Sequence, residues 1–395
     1  MAGTHRGAAE GEAVDNSGME SVPTVVLAPD KFKGSLTAAE VASALATGIA
    51  RARPEVPVVR VPVADGGDGT VDAFVSAGWT RVSLPAPGPT GEAVEACYAV
   101  RGDTAVVELA AVVGLGKLPD GRPDPLHAST FGLGVVIAHA LSVGAERIVL
   151  GLGGSASTDG GAGMLMALGA RIYGPDGHEV ARGGAALADA VRLDLRGLHP
   201  ELAEAQFIIA GDVDNPLLGP SGAVAVYAPQ KGAGPDDQAI LEAALDNWAQ
   251  LAGREHAGRP GAGAAGGTGF GAMAVLGAEM RSGIEVVLEL LDFGTVLESA
   301  SVVVTGEGCL DRQTLHGKAP MGVCAAARSA GVPVIAVAGR IDLTPDELAA
   351  AGFIAGYALA DVEPDPGRSM AEAARLLEPV GERIAVEQFA EPKSP

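Results

Sequence analysis

The chain has 395 residues, a formal net charge of −22, 48% hydrophobic residues and only 4% aromatics. That composition suits a packed α/β protein of two ordinary domains and excludes a disordered chain. The negative field excludes nucleic acid and anionic membranes as natural partners, so a phosphate site here needs local lysines, arginines or a divalent cation. No apolar run approaches the roughly 18 residues of a membrane helix. Residues 1–21 have neither the basic nor the apolar region of a secretory signal. They are expected to form a disordered tail, as are residues 391–395. Three scattered cysteines (Cys97, Cys309, Cys324) without a C-x-x-C pair fit a reducing cytoplasm and give no metal signature.

The first ordered element is a buried strand at residues 24–28, apolar throughout as in a parallel sheet. Thr37 and Glu40 form a capping box, and Val41, Leu45 and Ile49 mark one face of the helix that follows. A second strand is expected at 58–63. Residues 80–84, 93–100 and 104–109 read as short strands separated by turns, which points to a mixed or antiparallel sheet. Strand 147–151 enters a glycine loop followed by a helix. Residues 253–271, dense in glycine and alanine, are either a linker or a ligand-binding loop. Strand 301–305, a polar loop 306–318, a helix opened by Pro320, strand 332–338, a capped helix from Thr344, strand 353–360 and helix 369–388 complete an alternating pattern. The fold class is therefore α/β, with a parallel sheet covered by helices.

Five polar loops follow strands, where ligands bind in open sheets. Residues 151–163 hold six glycines, three hydroxyls and Asp159. They match neither a Walker A loop nor a dinucleotide fingerprint. Gly153, Gly154, Ser155, Ser157, Gly160 and Gly161 form either a phosphate cradle at a helix N-terminus or a tight turn. Asp30, Lys31 and Lys33 after the first strand suit an anion clamp with a metal. Asp65, Gly66, Gly67 and Asp68 after the second form a magnesium site or a capping turn. Asp212, Asp214 and Asn215 offer oxygen ligands, a general base or an Asx turn. Glu307, Asp311, Thr314 and Lys318 offer metal, hydroxyl and phosphate partners. Gly267, Thr268 and Gly269 close the glycine-rich stretch.

Taken in order, residues 28–37, 64–70, 153–163, 212–217 with 229–232, and 305–314 with Gly317-Lys318 resemble the type I glycerate kinase family over about residues 25–384. The resemblance implies transfer of the ATP γ-phosphoryl group to a hydroxyl of D-glycerate, with Mg2+, and slightly favours 2-phosphoglycerate as product. It also implies a flavodoxin-like domain built from both chain ends (22–78 with 287–390) around an inserted α/β domain (79–286) with a mixed sheet. On that reading Asp212, Lys31, Asp30 and Asp311 are the catalytic candidates. Asp212, Asp68 and Glu307 are the metal candidates. The substrate- or phosphate-binding candidates are Lys33, Asp65, Gly66, Gly67, Asp68, Gly153, Gly154, Ser155, Ser157, Asp159, Gly160, Gly161, Asn215, Gly267, Thr268, Gly269, Thr314 and Lys318. Cys309 stands where arginine is common, and Ser157-Thr158 where Thr-Asn is common. A kinase for another hydroxy acid or polyol, or a non-enzymatic anion-binding protein, are the alternatives. Oligomeric state is not read from the sequence.

Overall fold

The computed structural model describes residues 23–389; both expected tails, 1–21 and 391–395, lie outside the described residues. Among the described residues, thirteen strands fall in two sheets and a ribbon. They are β1 (Thr24–Pro29), β2 (Val58–Arg60), β3 (Thr80–Pro87), β4 (Ala93–Arg101), β5 (Thr104–Glu108), β6 (Arg147–Gly151), β7 (Arg171–Tyr173), β8 (Arg192–Asp194), β9 (Gln206–Ala210), β10 (Glu279–Arg281), β11 (Ala300–Leu310), β12 (Val334–Ile341) and β13 (Phe353–Ala358). The first sheet runs β13-β12-β11-β1-β2 and is parallel throughout. Counted within this sheet in chain order, that is 2-1-3-4-5, the flavodoxin-like order. The second runs β10-β9-β6-β5-β4-β3; β10, β9, β6 and β5 are parallel, while β4 and β3 are antiparallel. The mixed character expected for the middle of the chain is thus present.

Side-chain alternation shows how the layers stack. On β1, Val25 and Leu27 join a core with the helices Ala38–Ala52 and Ala373–Gln388. Val26 and Ala28 point into a different core. That second core also receives Val106, Val149, Ile208 and Ala210 from the other sheet, with Phe74, Val287 and Val323 from helices between them. The opposite residues of those strands, Val107, Ile148, Leu150 and Ile209, face a third core with Leu133, Met164 and Trp248. The period-two pattern of each strand therefore feeds two cores. The two sheets share the middle one. The expected boundary at 286/287 falls inside the helix Gly283–Leu290, part of that shared layer.

Local signals worked where capping chemistry was explicit. Thr37–Glu40 and Thr344–Glu347 both form complete capping boxes, the latter with proline in the first turn. Val41, Leu45 and Ile49 are fully buried. Three expectations are corrected. The polar stretch after residue 305 is not loop from its start: β11 continues to Leu310 because Glu307, Cys309 and Leu310 stay in register with β12. The last helix is two, Pro366–Ala371 and Ala373–Gln388. Residues 253–271 are no linker: Ala264–Val275 is helical and mostly buried, entered through left-handed backbone at Ala265, Gly266 and Gly267.

Candidate active site

The carboxyl ends of both sheets meet at one cleft of about 980 Å³. From the first sheet come Asp30 after β1, Asp65 after β2 and Glu307 on β11; from the second come Glu108 at the end of β5 and Gly153–Gly154 after β6. The loops touch directly. Gly66 has φ +87°, and a β-carbon there would lie 2.2 Å from the Ala210 carbonyl oxygen. A β-carbon on Gly153 would lie 2.7 Å from the Gly67 α-carbon. Glycine is required at these positions because two backbones approach across the cleft floor. A smaller pocket of about 280 Å³ opens beside the cleft and shares Asp65, Gly67, Leu115, Gly153 and Gly154 with it.

Four carboxylates are electrostatically linked through Asp65, whose charge raises the pKa of Asp30, Asp212 and Glu307. Burial is the larger cause in each case. Asp30 is pushed up to about 7, first by burial and then by Asp65. Its Oδ1 accepts from the Lys31 amide at 2.6 Å, and its own amide donates to Gly306 O at 2.8 Å, which fixes it at the end of β1. Asp65 Oδ1 accepts from the Gly67 amide at 3.1 Å, and Asp212 Oδ1 from the Gly283 amide at 3.1 Å. Glu307 accepts from Thr314 Oγ1 at 2.6 Å and faces Lys318 Nζ at 3.6 Å. Asp311 accepts from the amides of Gln313 and Thr314, making a turn at the cleft edge.

Lys31, Lys33, Arg81, Lys117 and Lys318 also line the cleft, so cations stand among its carboxylates in a chain of net −22. Lys31 donates to the carbonyl and carboxylate of Asp68. The requirement for local cations is met.

The structure separates the expected site residues into three groups. Asp30, Lys31, Lys33, Asp65, Gly67, Asp68, Gly153, Gly154, Glu307, Asp311 and Lys318 line the cleft. Gly66, Ser155 and Asp212 line the smaller pocket. The rest do not reach either cavity. Asp159 is fully buried and accepts from Ser129, Thr130, Gly161 and Gly163, so it is an internal anchor for the helix Ala162–Ala167. Gly160 and Gly161 pack on Trp248 and Thr268. Ser157, Gly267, Thr268 and Gly269 are buried among the same backbones. Asn215 is committed to Ser221 O and the Tyr227 hydroxyl. Thr314 positions Glu307 from a buried place. In this structure much of the glycine-rich sequence serves packing, because small residues let backbone segments cross closely. Of the expected metal set, Asp212, Asp68 and Glu307 do not converge. No group of three His, Cys, Asp or Glu poised for a metal occurs among the described residues.

Two residues were missed. Glu108 is buried at the end of β5 and accepts from the Gly69 and Val71 amides at 3.1 and 3.0 Å. A lone acid ending an apolar strand was its signal. Lys231 is buried on the 3₁₀ turn Pro229–Lys231, with Nζ donating to Ser157 O and, at 3.3 Å, Ser155 Oγ. Burial lowers its pKa to about 7. Its signal was the Pro-Gln-Lys-Gly segment already part of the resemblance.

An acid cluster, a ring of lysines and a glycine loop between two sheets define an α/β enzyme built to bring two anionic molecules together. The model of the glycerate kinase family matches residues 25–388. The chain is 44% identical to a glycerate kinase of Bacillus subtilis strain 168, over 80% of this chain and 85% of that protein. It is 42% identical to the glycerate 2-kinase of Escherichia coli K12, over 80% and 85%. The crystal structure of a "putative glycerate kinase 2" from Salmonella typhimurium LT2 superposes with a TM-score of 0.82 at 39% identity, covering 93% of this chain and 99% of that one. The chain belongs to the glycerate kinase family.

Proposed function

We propose that this protein is an ATP-dependent glycerate kinase that phosphorylates D-glycerate, with 2-phosphoglycerate as the product. The carrying observation is the Asp65-centred carboxylate cluster with lysines beside it, in one cleft with the glycine loop, in a chain of this family. The name of the Escherichia coli relative, glycerate 2-kinase, favours the 2-hydroxyl. Phosphoryl transfer asks a protein for alignment and charge neutralisation more than covalent chemistry. Asp30, whose raised pKa suits proton acceptance near neutrality, takes the proton of the attacking hydroxyl. Lys33 and Lys318 neutralise the acceptor carboxylate and the moving phosphoryl group, while Lys31 is steadied by Asp68.

The donor set fits Mg2+. Hard cations take carboxylate oxygens, and one or two carboxylates with substrate phosphates and water complete a magnesium site. Repulsion of both Asp30 and Asp212 by Asp65 is the electrostatic situation a divalent cation relieves. Asp65 and Asp212 would hold the ion, and its positive charge would offset that of the phosphates. No helix among the described residues is long and apolar enough to cross a membrane, and the three free cysteines fit a reducing cytoplasm as the place of action. A panel of D-glycerate, L-glycerate, lactate, tartronate and glycerol, each with ATP and Mg2+, tests the substrate assignment. ADP release with D-glycerate at least tenfold above the others is expected; preference for another acceptor would redirect the proposal.

A further inference from the structure

The two cavities differ in character, and the difference has a chemical meaning. The large cleft is walled by charges from both sheets. The smaller pocket is walled by Leu115, Leu152, Ile209 and Met280, with Val213 at its exposed side. Glycerate carries a polar group on every carbon and gains nothing from such walls. A purine base does. Gly153 and Gly154 form a border shared by both cavities, Ser155 continues it inside the smaller pocket, and Lys231 lies behind Ser155. A molecule with an apolar, flat head and a polyanionic tail matches that sequence of surfaces from the pocket outward.

Resting on the kinase reading above, we propose that the smaller pocket holds the nucleotide base, that Gly153, Gly154 and Ser155 carry its phosphate tail, and that Lys231 is the buried cation serving the tail. The acceptor then occupies the charged cleft, and transfer takes place at the neck beside Asp65, the charged residue among those that line both cavities. Lys231 is suited to the task because it is buried, held by Ser155 Oγ and Ser157 O, and near the buried Asp159. A lysine so placed keeps its charge only at a cost from desolvation, and an incoming polyphosphate offsets that cost. Lys31, Lys33 and Lys318, lying on the other side of the neck, are left for the acceptor and the transferred group. The glycine loop thus serves the donor, and the loops of the first sheet serve the acceptor.

Two variants test the division. Lys231→Met keeps the length of the buried chain without its charge; Val213→Trp crowds the pocket from an exposed position. Both should raise the KM for ATP at least tenfold and leave the KM for D-glycerate within twofold. Both should also weaken ADP binding by the same factor in calorimetric titration without glycerate. A rise in the glycerate KM with the ATP KM unchanged, or ADP titrations identical to wild type in both variants, would overturn the assignment. Circular dichroism and thermal melting identify a Lys231→Met protein that fails to fold, in which case Val213→Trp decides alone. Should the wild type phosphorylate no glycerate while ADP binding still weakens in the variants, the functional reading fails and the nucleotide pocket stands.

Discussion

Asp65 illustrates how one side chain sets the state of its neighbours. Burial raises the pKa of Asp30, Asp212 and Glu307, and repulsion from Asp65 adds to the effect on each. An unfolded Asp30 titrates near 3.8, whereas the folded one is pushed up to about 7. The native protein therefore holds an extra proton between those values, and the contribution of Asp30 to stability is lost as pH rises through that window. At pH 8 the metal-free protein carries this group ionised at a cost of a few kcal/mol, reckoned at about 1.4 kcal/mol per unit. Asp30→Asn should accordingly raise the melting temperature of the metal-free protein at pH 8 and change it little near pH 4, as thermal melts at both values would record. The same variant should lower kcat by about 100-fold or more, the range of a lost general base. A variant both more stable and fully active would remove Asp30 from the reaction. Asp212→Asn should reduce kcat by orders of magnitude, with a higher Mg2+ requirement in a metal titration; normal Mg2+ dependence would take Asp212 out of the metal site.

At the scale of elements, the sequence revealed strands and caps better than contacts between loops. Apolar runs at 24–28 and 147–151 and the capping boxes at Thr37 and Thr344 are local signals, and the structure contains them. The end of β11 was misread because Gly306, Glu307 and Gly308 look like loop residues, yet pairing with Val337 and Ala338 keeps them in the sheet. The loops at Asp30, Asp65 and Glu307 were legible because acids and lysines follow strands. The glycine loop was only half legible. Its composition could not distinguish Gly153 and Gly154, which face the cleft, from Gly160 and Gly161, which face Trp248 and Thr268. That distinction arises from segments far apart in the chain. Lys231 was obscured for the same reason, since only the fold brings it to Ser155. Gly66→Ala should be severe, because the new β-carbon meets a backbone oxygen and the backbone is left-handed. Loss of several degrees of melting temperature together with most activity is expected; a variant with wild-type melting and turnover would refute the close-approach account.

For the whole molecule, the shared middle core matters most. Residues of both sheets pack on the same intervening helices, so neither sheet is covered on both faces without the other. Such an arrangement couples the halves of the site mechanically and keeps the acid cluster opposite the glycine loop. Calorimetry of the unliganded protein should show one cooperative unfolding transition; two well-separated transitions would mean that the halves fold independently. The net charge of −22 leaves the cleft lysines as a local exception. That contrast supports sites for small anions over polyanionic polymers. Phosphorus NMR of a mixture of the protein, D-glycerate, ATP and Mg2+ tests the central claim most directly. The account predicts growth of ADP together with a phosphomonoester signal coupled to a single carbon-bound proton, as in 2-phosphoglycerate. Unchanged ATP and no new phosphomonoester in the presence of folded protein would contradict it.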